Sequence, residues 1–141
     1  MRFSSREQYG LRLMAELAAR YGEGPVPLSE VADAQGIALA TLEQIVAPLR
    51  RAGLVISTRG ATGGYTLARP PAEMTVGDVL RALEGGLVPI PCLNPGGERC
   101  ERAQRCTTRP VWALVRDRLV ETLDRLTLED VCRQRVDEEK L

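Results

Sequence analysis

The sequence predicts a mainly α-helical protein with one small β-hairpin and a long helix near its C-terminus. Apolar residues recur at helical spacing in several segments that glycines and prolines separate. One β-branched run, 54–58, is followed by a glycine-rich turn and a second short run, 65–67, which is typical of a hairpin. With 141 residues, of which 44% are hydrophobic, the chain is long enough to bury a core.

The first two helices are predicted from the signals at their ends. Ser4 and Glu7 have the spacing of a capping box, so a helix should begin there. Apolar residues then recur on one face until a run of glycines and prolines ends the helix. Ser29 is expected to cap a short second helix over 30–35, which Gly36 should end.

A third helix is expected to run from about Leu39 toward Ala52. Pro48 lies inside it, and because proline removes one backbone hydrogen bond, it should kink the helix or end its regular part early. Ala38 precedes the helix, so the serine, threonine or aspartate that commonly caps such a helix is missing.

Two helices joined at Gly36 and followed by a glycine-tipped hairpin are typical of a winged helix-turn-helix. In that arrangement the second helix of the pair enters the major groove, and the hairpin, or wing, approaches the DNA backbone closely. A solvated polar face is the alternative for any single residue of this set. The predicted DNA-binding residues are Thr41, Glu43, Gln44, Arg50, Arg51, Arg59, Gly60, Gly63, Gly64 and Tyr65.

The remaining elements follow from similar signals. Thr75 and Asp78 form a second capping box, and a long helix is expected from about Arg109. Its predicted apolar stripe is Trp112, Val115, Leu119, Leu123 and Leu126. The expected division of the chain is a DNA-binding domain over 1–71, a connecting helix over 72–86, a cysteine-rich loop over 87–107, a long-helix region over 108–132 and a flexible tail over 133–141.

The composition excludes several classes of function. The 19 basic and 19 acidic residues cancel, and the chain has no histidine, which excludes histidine-based catalysis and histidine-ligated zinc. We find no nucleophile elbow and no phosphate-binding loop, so an enzyme is not expected. The N-terminus lacks a signal-peptide pattern, and no run of about 18 apolar residues is present. We therefore expect a cytoplasmic protein that does not enter membranes.

Three cysteines lie close together in the loop. Seven residues separate Cys92 from Cys100, and five separate Cys100 from Cys106. Three thiolates on a loop rich in proline and glycine can converge on one inorganic core, and thiolates favour zinc and iron–sulfur clusters. The spacing does not match the paired hooks of a zinc ribbon. Zinc binding and three reduced, unligated thiols are the alternatives; Cys132 is expected to be a buried inert thiol, with a ligand role as the alternative.

Residues 42–55 and 59–67, together with 75–80 and 127–131, resemble the winged-helix regulator family of IscR, NsrR and CymR. The resemblance extends to about residue 131. It implies a homodimeric transcriptional regulator, a repressor, that binds a near-palindromic double-stranded operator and uses its long C-terminal helix for dimerisation. Glu43, Gln44 and Arg59 match family positions that meet DNA, whereas position 40, often serine in IscR-like members, is Ala40 here.

The loop resembles the three-cysteine loop of the cluster-binding members, although its first gap is two residues longer. CymR-like members lack these cysteines, so the chain combines a CymR-like DNA-reading head with a sensor loop. The resemblance implies that an iron–sulfur cluster, with two or four irons, controls DNA affinity. A cluster-free regulator that switches by thiol oxidation or through a partner protein is the alternative, and a small iron–sulfur electron carrier is a remote one.

The resemblance leaves the fourth cluster ligand open. The histidine that IscR-like proteins carry three residues after the third cysteine is Arg109 here. In NsrR-like members the ligand is an acid near position 8, supplied by the other subunit, and here that position is Gln8 with Glu7 beside it. Glu7, Gln8, water and a small thiol are the candidates.

Overall fold

The computed structural model describes residues 3–84, residue 93 and residues 101–138. These residues contain six α-helices and a two-stranded antiparallel sheet, so the mainly helical fold with one hairpin is confirmed. The helices are α1 Ser5–Ala19, α2 Leu28–Gln35, α3 Leu39–Arg51, α4 Val76–Glu84, α5 Arg109–Arg125 and α6 Leu128–Cys132; the strands are β1 Val55–Thr58 and β2 Gly64–Leu67, with a 3₁₀ turn over Pro71–Glu73.

Reciprocal capping bonds begin three of the helices. The Glu7 N–H donates to Ser4 Oγ at 3.1 Å, and the Ser4 N–H donates to Glu7 Oε1 at 2.9 Å. The same reciprocal pairs occur at Thr75 with Asp78, before α4, and at Thr127 with Asp130, before α6. The predicted capping boxes of α1 and α4 are therefore confirmed.

One local prediction was wrong, and one of the two alternatives given for Pro48, an early end of the helix, is excluded. The α2 helix begins at Leu28 with Pro27 as its N-cap, so Ser29 lies inside the helix and does not cap it. Pro27 has φ −62° and ψ 139°, the extended backbone that an N-cap residue adopts, and burial of Leu28 fixes the first turn. The α3 helix continues to Arg51, past Pro48, because buried side chains on both sides of the proline hold it against the core.

The main core lies between α1 and the helices around it. Its fully buried side chains come from α1, α2, α3, α4 and α6, and from the segments before α2 and α4. Because α1 contributes to contacts with every one of these helices, it is the central element on which the others are assembled. The largest of the fully buried side chains are Leu13, Met14, Leu17, Leu42, Leu49, Met74 and Leu128.

The long helix α5 is attached to this fold by its C-terminal half. Val120, Leu123 and Leu126 pack around the buried pair Val76 and Leu80. The Val76 N–H donates to the Leu126 carbonyl at 2.8 Å. The predicted apolar stripe is therefore divided into two parts. Its C-terminal part packs against α4, whereas the apolar side chains in the first turns of α5 are exposed. Those exposed side chains are Val111, Trp112, Leu114 and Val115.

The wing is held to the rest of the fold by a backbone bridge. Tyr65 and Val26 exchange two N–H to carbonyl hydrogen bonds of 2.9 Å. Gly64 lies against the same segment with φ +151°, and a Cβ added there would be 2.3 Å from the Val26 carbonyl carbon. A glycine is therefore required at this position for the wing to dock.

Gly64→Ala is expected to lower the free energy of unfolding by about 2–3 kcal/mol, because a backbone contact cannot move as a flexible side chain does. The matched control is Gly53→Ala, where φ is +76° but no atom lies within 4 Å of the added Cβ. That control should lose about 1 kcal/mol from backbone strain alone. Urea unfolding followed by circular dichroism measures both, and equal losses would contradict the close-contact explanation.

Candidate nucleic-acid interface and cysteine site

The α3 helix has one face in the core and the other exposed. Ile45, Val46 and Leu49 are buried, whereas Glu43 and Gln44 are exposed. Thr41 is half-buried at the edge between the two faces, and Arg50 and Arg51 are exposed at the C-terminal end of the helix. The polar residues predicted to read DNA therefore lie on a helix whose opposite face is fixed by packing.

Side chains of α1 hold the turn that leads into α3. Arg12 Nε donates to Gln35 Oε1 at 3.1 Å, and the same guanidinium contacts the Gln35 carbonyl. Gln35 Nε2 in turn donates to Glu16 Oε2 at 3.0 Å. Ile37, in the turn, is buried. The start of α3 is thus positioned by both polar and apolar contacts with the first two helices.

The wing follows α3 after a short turn. The Leu54 N–H donates to the Leu49 carbonyl at 3.0 Å, which fixes the beginning of the hairpin relative to the helix. At the hairpin turn Arg59 and Gly60 are exposed, and the Gly63 N–H donates to the Gly60 carbonyl at 3.0 Å. A Cβ at Gly63 would lie 2.2 Å from the Thr58 carbonyl oxygen, so the turn is compact because glycine occupies that position.

One exposed residue of α3 was missed by the sequence analysis. Leu39, the first residue of the helix, is 41% exposed, and its neighbours Ala38 and Ala40 are exposed as well. Leu39 precedes Glu43 by four residues, which places the two side chains on one face. That spacing was the available signal, since a residue four positions before an outward-facing one also faces outward.

Cys106 is half-buried and lies three residues before α5 begins. Its Sγ is 3.2 Å from Thr108 Oγ1. The hydroxyl and the backbone N–H of Thr108, then the Arg109 backbone N–H and the charge of Arg102, lower the pKa of the Cys106 thiol. A lowered pKa favours the thiolate, which is the form that binds metal. Cys92 and Cys100 lie outside the described residues.

The other candidate ligands are placed differently. Glu7 is 9% exposed and its carboxylate is engaged in the capping box of α1, whereas Gln8 is exposed and its Nε2 donates to the Phe3 carbonyl at 3.0 Å. Cys132 is half-buried against the main core, with its Sγ 3.5 Å from the Glu129 carbonyl. Among the described residues no three cysteine, aspartate or glutamate side chains are grouped to hold a metal ion.

The sequence and fold match a known family. The family model Rrf2, whose description is "Iron-dependent Transcriptional regulator", matches residues 3–134. The chain belongs to the Rrf2 family. Rrf2 membership makes it a DNA-binding transcriptional regulator and confirms that it is not an enzyme. In the part of the chain that the structure describes, no helix is long and apolar enough to cross a membrane.

Individual Rrf2 proteins support this assignment. The chain is 42% identical to the HTH-type transcriptional regulator CymR of Bacillus subtilis over 131 residues, which cover 93% of this chain and 89% of CymR. It is 37% identical to IscR of Pectobacterium carotovorum over 131 residues, covering 93% and 79% of the two chains.

Solved Rrf2 structures have the same fold. The structure of CymR, described as the global cysteine regulator of B. subtilis, matches with a TM-score of 0.80 at 42% identity, covering 97% of this chain and 99% of CymR. IscR of T. potens matches with a TM-score of 0.77 at 39% identity, covering 100% and 92%. The winged-helix architecture predicted from the sequence is therefore confirmed.

Proposed function

We propose that this Rrf2 protein is a homodimeric cytoplasmic repressor whose affinity for a near-palindromic operator is controlled by an iron–sulfur cluster on Cys92, Cys100 and Cys106. The observation that carries the DNA part is the exposed Glu43–Gln44 pair on a helix whose other face is buried. Cys106, with its lowered thiol pKa next to α5, is the observation that supports the sensing part.

The chemistry of α3 fits base recognition in the major groove. The Gln44 amide can donate and accept at an adenine edge, and the Glu43 carboxylate can accept from cytosine N4. Arg50, Arg51 and Arg59 supply cations for phosphate or minor-groove contacts, which position the protein without reading sequence. Two copies of α3 related by a two-fold axis would meet major grooves about 34 Å apart.

The exposed start of α5 supports the dimer. Val111, Trp112, Leu114 and Val115 are between 38% and 57% exposed on two successive turns. An apolar surface of this kind on a long helix is stabilised when a second copy covers it. The family resemblance implies the same use of this helix.

Trp112→Glu is expected to raise the dimer dissociation constant by about 700-fold, because a buried interface tryptophan typically contributes about 2 kcal/mol or more and a symmetric dimer contains two copies of it. Val136→Glu is the control, since Val136 is also exposed but lies outside α5. Sedimentation velocity over a range of concentrations measures both variants. An unchanged self-association in Trp112→Glu would exclude this helix as the dimer contact.

The cysteine chemistry fits a cluster better than a closed zinc site, because the three thiols lack the paired spacing of zinc hooks. When bound, the cluster would supply a group that reacts with oxidants or nitric oxide. Glu7 is buried and one of its carboxylate oxygens accepts the capping bond, whereas Gln8 is exposed, so Gln8 or a ligand from solution is favoured over Glu7 as the fourth ligand.

A second candidate is a cluster-free regulator that switches by thiol oxidation. The observation in its favour is Cys106 itself, because the contacts with Thr108 lower the pKa of its thiol and so favour the thiolate, the form that oxidants attack without any metal. The relatives are transcriptional regulators, which gives the electron-carrier alternative no support. Absorbance near 400 nm and the iron and sulfide content of anaerobically purified protein distinguish the two remaining candidates.

The proposed function is tested by selection from a random double-stranded DNA library, carried out with anaerobic protein and again after iron removal. We expect one near-palindromic sequence to be enriched by at least one of the two forms, and the two forms to differ in affinity for it. Failure of both forms to enrich any sequence would overturn the DNA-reading assignment. Equal affinities would overturn control by the cluster.

A further inference from the structure

The first turn of α3 is apolar and exposed. Ala38, the N-cap, has no side-chain hydrogen bond to the helix, and Leu39 and Ala40 follow it with their side chains accessible. Leu39 is 41% exposed although its neighbour Leu42 is completely buried. This helix start therefore lacks a side-chain capping bond, and it exposes apolar side chains where polar ones would be hydrated.

This apolar turn is continuous with the polar pair that reads DNA in the proposed function. Leu39 and Glu43 are four residues apart, as are Ala40 and Gln44, so the four side chains form one exposed strip along α3. Recognition helices contact base edges mainly with their N-terminal residues. Leu39 and Ala40 therefore lie at the end of the strip that enters the groove first.

The major groove offers one apolar group, the C5-methyl of thymine. Leu39 and Ala40 carry no hydrogen-bonding groups, so a polar base edge would lose water without gaining a partner. A thymine methyl makes no hydrogen bond with water, so no hydrogen bond is lost when the methyl and the leucine side chain bury each other. The chemistry of this turn thus fits a thymine beside the bases that Glu43 and Gln44 contact.

We propose that Leu39, in the exposed first turn of α3 that it shares with Ala40, reads a thymine C5-methyl group in each half-site of the operator, an inference that rests on the proposed function. The readout is specificity-determining because the methyl distinguishes thymine from cytosine in the groove. The ligand is the same operator DNA. Each half-site gains an apolar recognition position next to the bases that Glu43 and Gln44 contact through hydrogen bonds.

Deoxyuridine scanning tests the inference, because deoxyuridine differs from thymidine only in lacking the methyl group. The probe is the duplex enriched by the wild-type protein from the random library, with each symmetric pair of thymines replaced in turn. At one pair we expect affinity to fall about sixteenfold, or fourfold per half-site, since burial of one methyl-sized group contributes about 0.8 kcal/mol.

Leu39→Ala is the variant that assigns the effect to this side chain. Its penalty for deoxyuridine at the sensitive pair should shrink to less than twofold, whereas Leu39→Met, which keeps an apolar side chain of similar size, should retain most of it. Circular dichroism and the melting temperature check that both variants fold, as expected for an exposed position.

The outcomes separate the inference from the proposed function. If no sequence is enriched, the proposed function fails. If a sequence is enriched but no deoxyuridine pair weakens binding, the DNA-reading assignment stands and thymine readout is wrong. An equal penalty in wild type and Leu39→Ala would also overturn it, because the methyl would then be read by another residue.

Discussion

Replacing Glu43 and Gln44 together by alanine is expected to weaken operator binding by about a thousandfold. Each base-edge contact typically discriminates by about 1 kcal/mol or more, and a dimer makes each of them twice. Both side chains are exposed, so the variant should keep the stability of the parent protein. Affinity for an unrelated duplex should change little, because phosphate contacts supply nonspecific binding.

Fluorescence anisotropy at several salt concentrations, with the selected duplex and a scrambled one, measures this effect. The matched control is the pair Glu23→Ala and Glu73→Ala, which removes two exposed carboxylates away from α3. Arg59→Ala gives a useful contrast, because loss of a phosphate contact should weaken both duplexes and reduce the salt slope. Intact discrimination between the duplexes in the Glu43 and Gln44 variant would show that α3 does not read sequence.

Cys106→Ser is expected to eliminate cluster binding. A serine hydroxyl is a poor substitute for a thiolate toward iron, and only three cysteines are available in the loop. Iron and acid-labile sulfide should fall to the background of the preparation, together with the visible absorbance. Operator affinity should then equal that of the iron-depleted wild-type protein.

Cys132→Ser is the matched control, because that thiol packs against the core at the other end of α5. It should retain iron and sulfide at wild-type levels. Loss of iron in this control would make Cys132 a ligand. A colourless, iron-free wild-type protein after anaerobic reconstitution would contradict the cluster and leave the thiol switch at Cys106 as the explanation.

Features set by neighbouring residues were predictable from the sequence, and features set by tertiary packing were less so. The capping boxes at Ser4 and Thr75 were found because each depends on two residues three positions apart. The N-terminus of α2 was misplaced because burial of Leu28 extended the helix beyond the local cap signal at Ser29.

The candidate site shows the same division. The buried and exposed faces of α3 followed from helical spacing, because the helix lies on a single core. The burial of Glu7 and the pKa of Cys106 depend on contacts that no spacing rule contains. The division of the α5 stripe into a packed half and an exposed half depends on where α4 lies, which the pattern of α5 alone does not specify.

Among the described residues, α5 packs against the rest of the fold through its C-terminal half, and such a helix can pivot about that half like a lever. Its C-terminal half is fixed by the Val76–Leu126 backbone bond and the Arg81–Asp124 ion pair, whereas Cys106 lies just before its other end. The helix has 17 residues. Over its length of about 25 Å, a rotation of about 10° at the fixed end moves the other end by about 4 Å. Conversely, a displacement of a few ångströms beside Cys106 changes the angle between α5 and α4 only slightly.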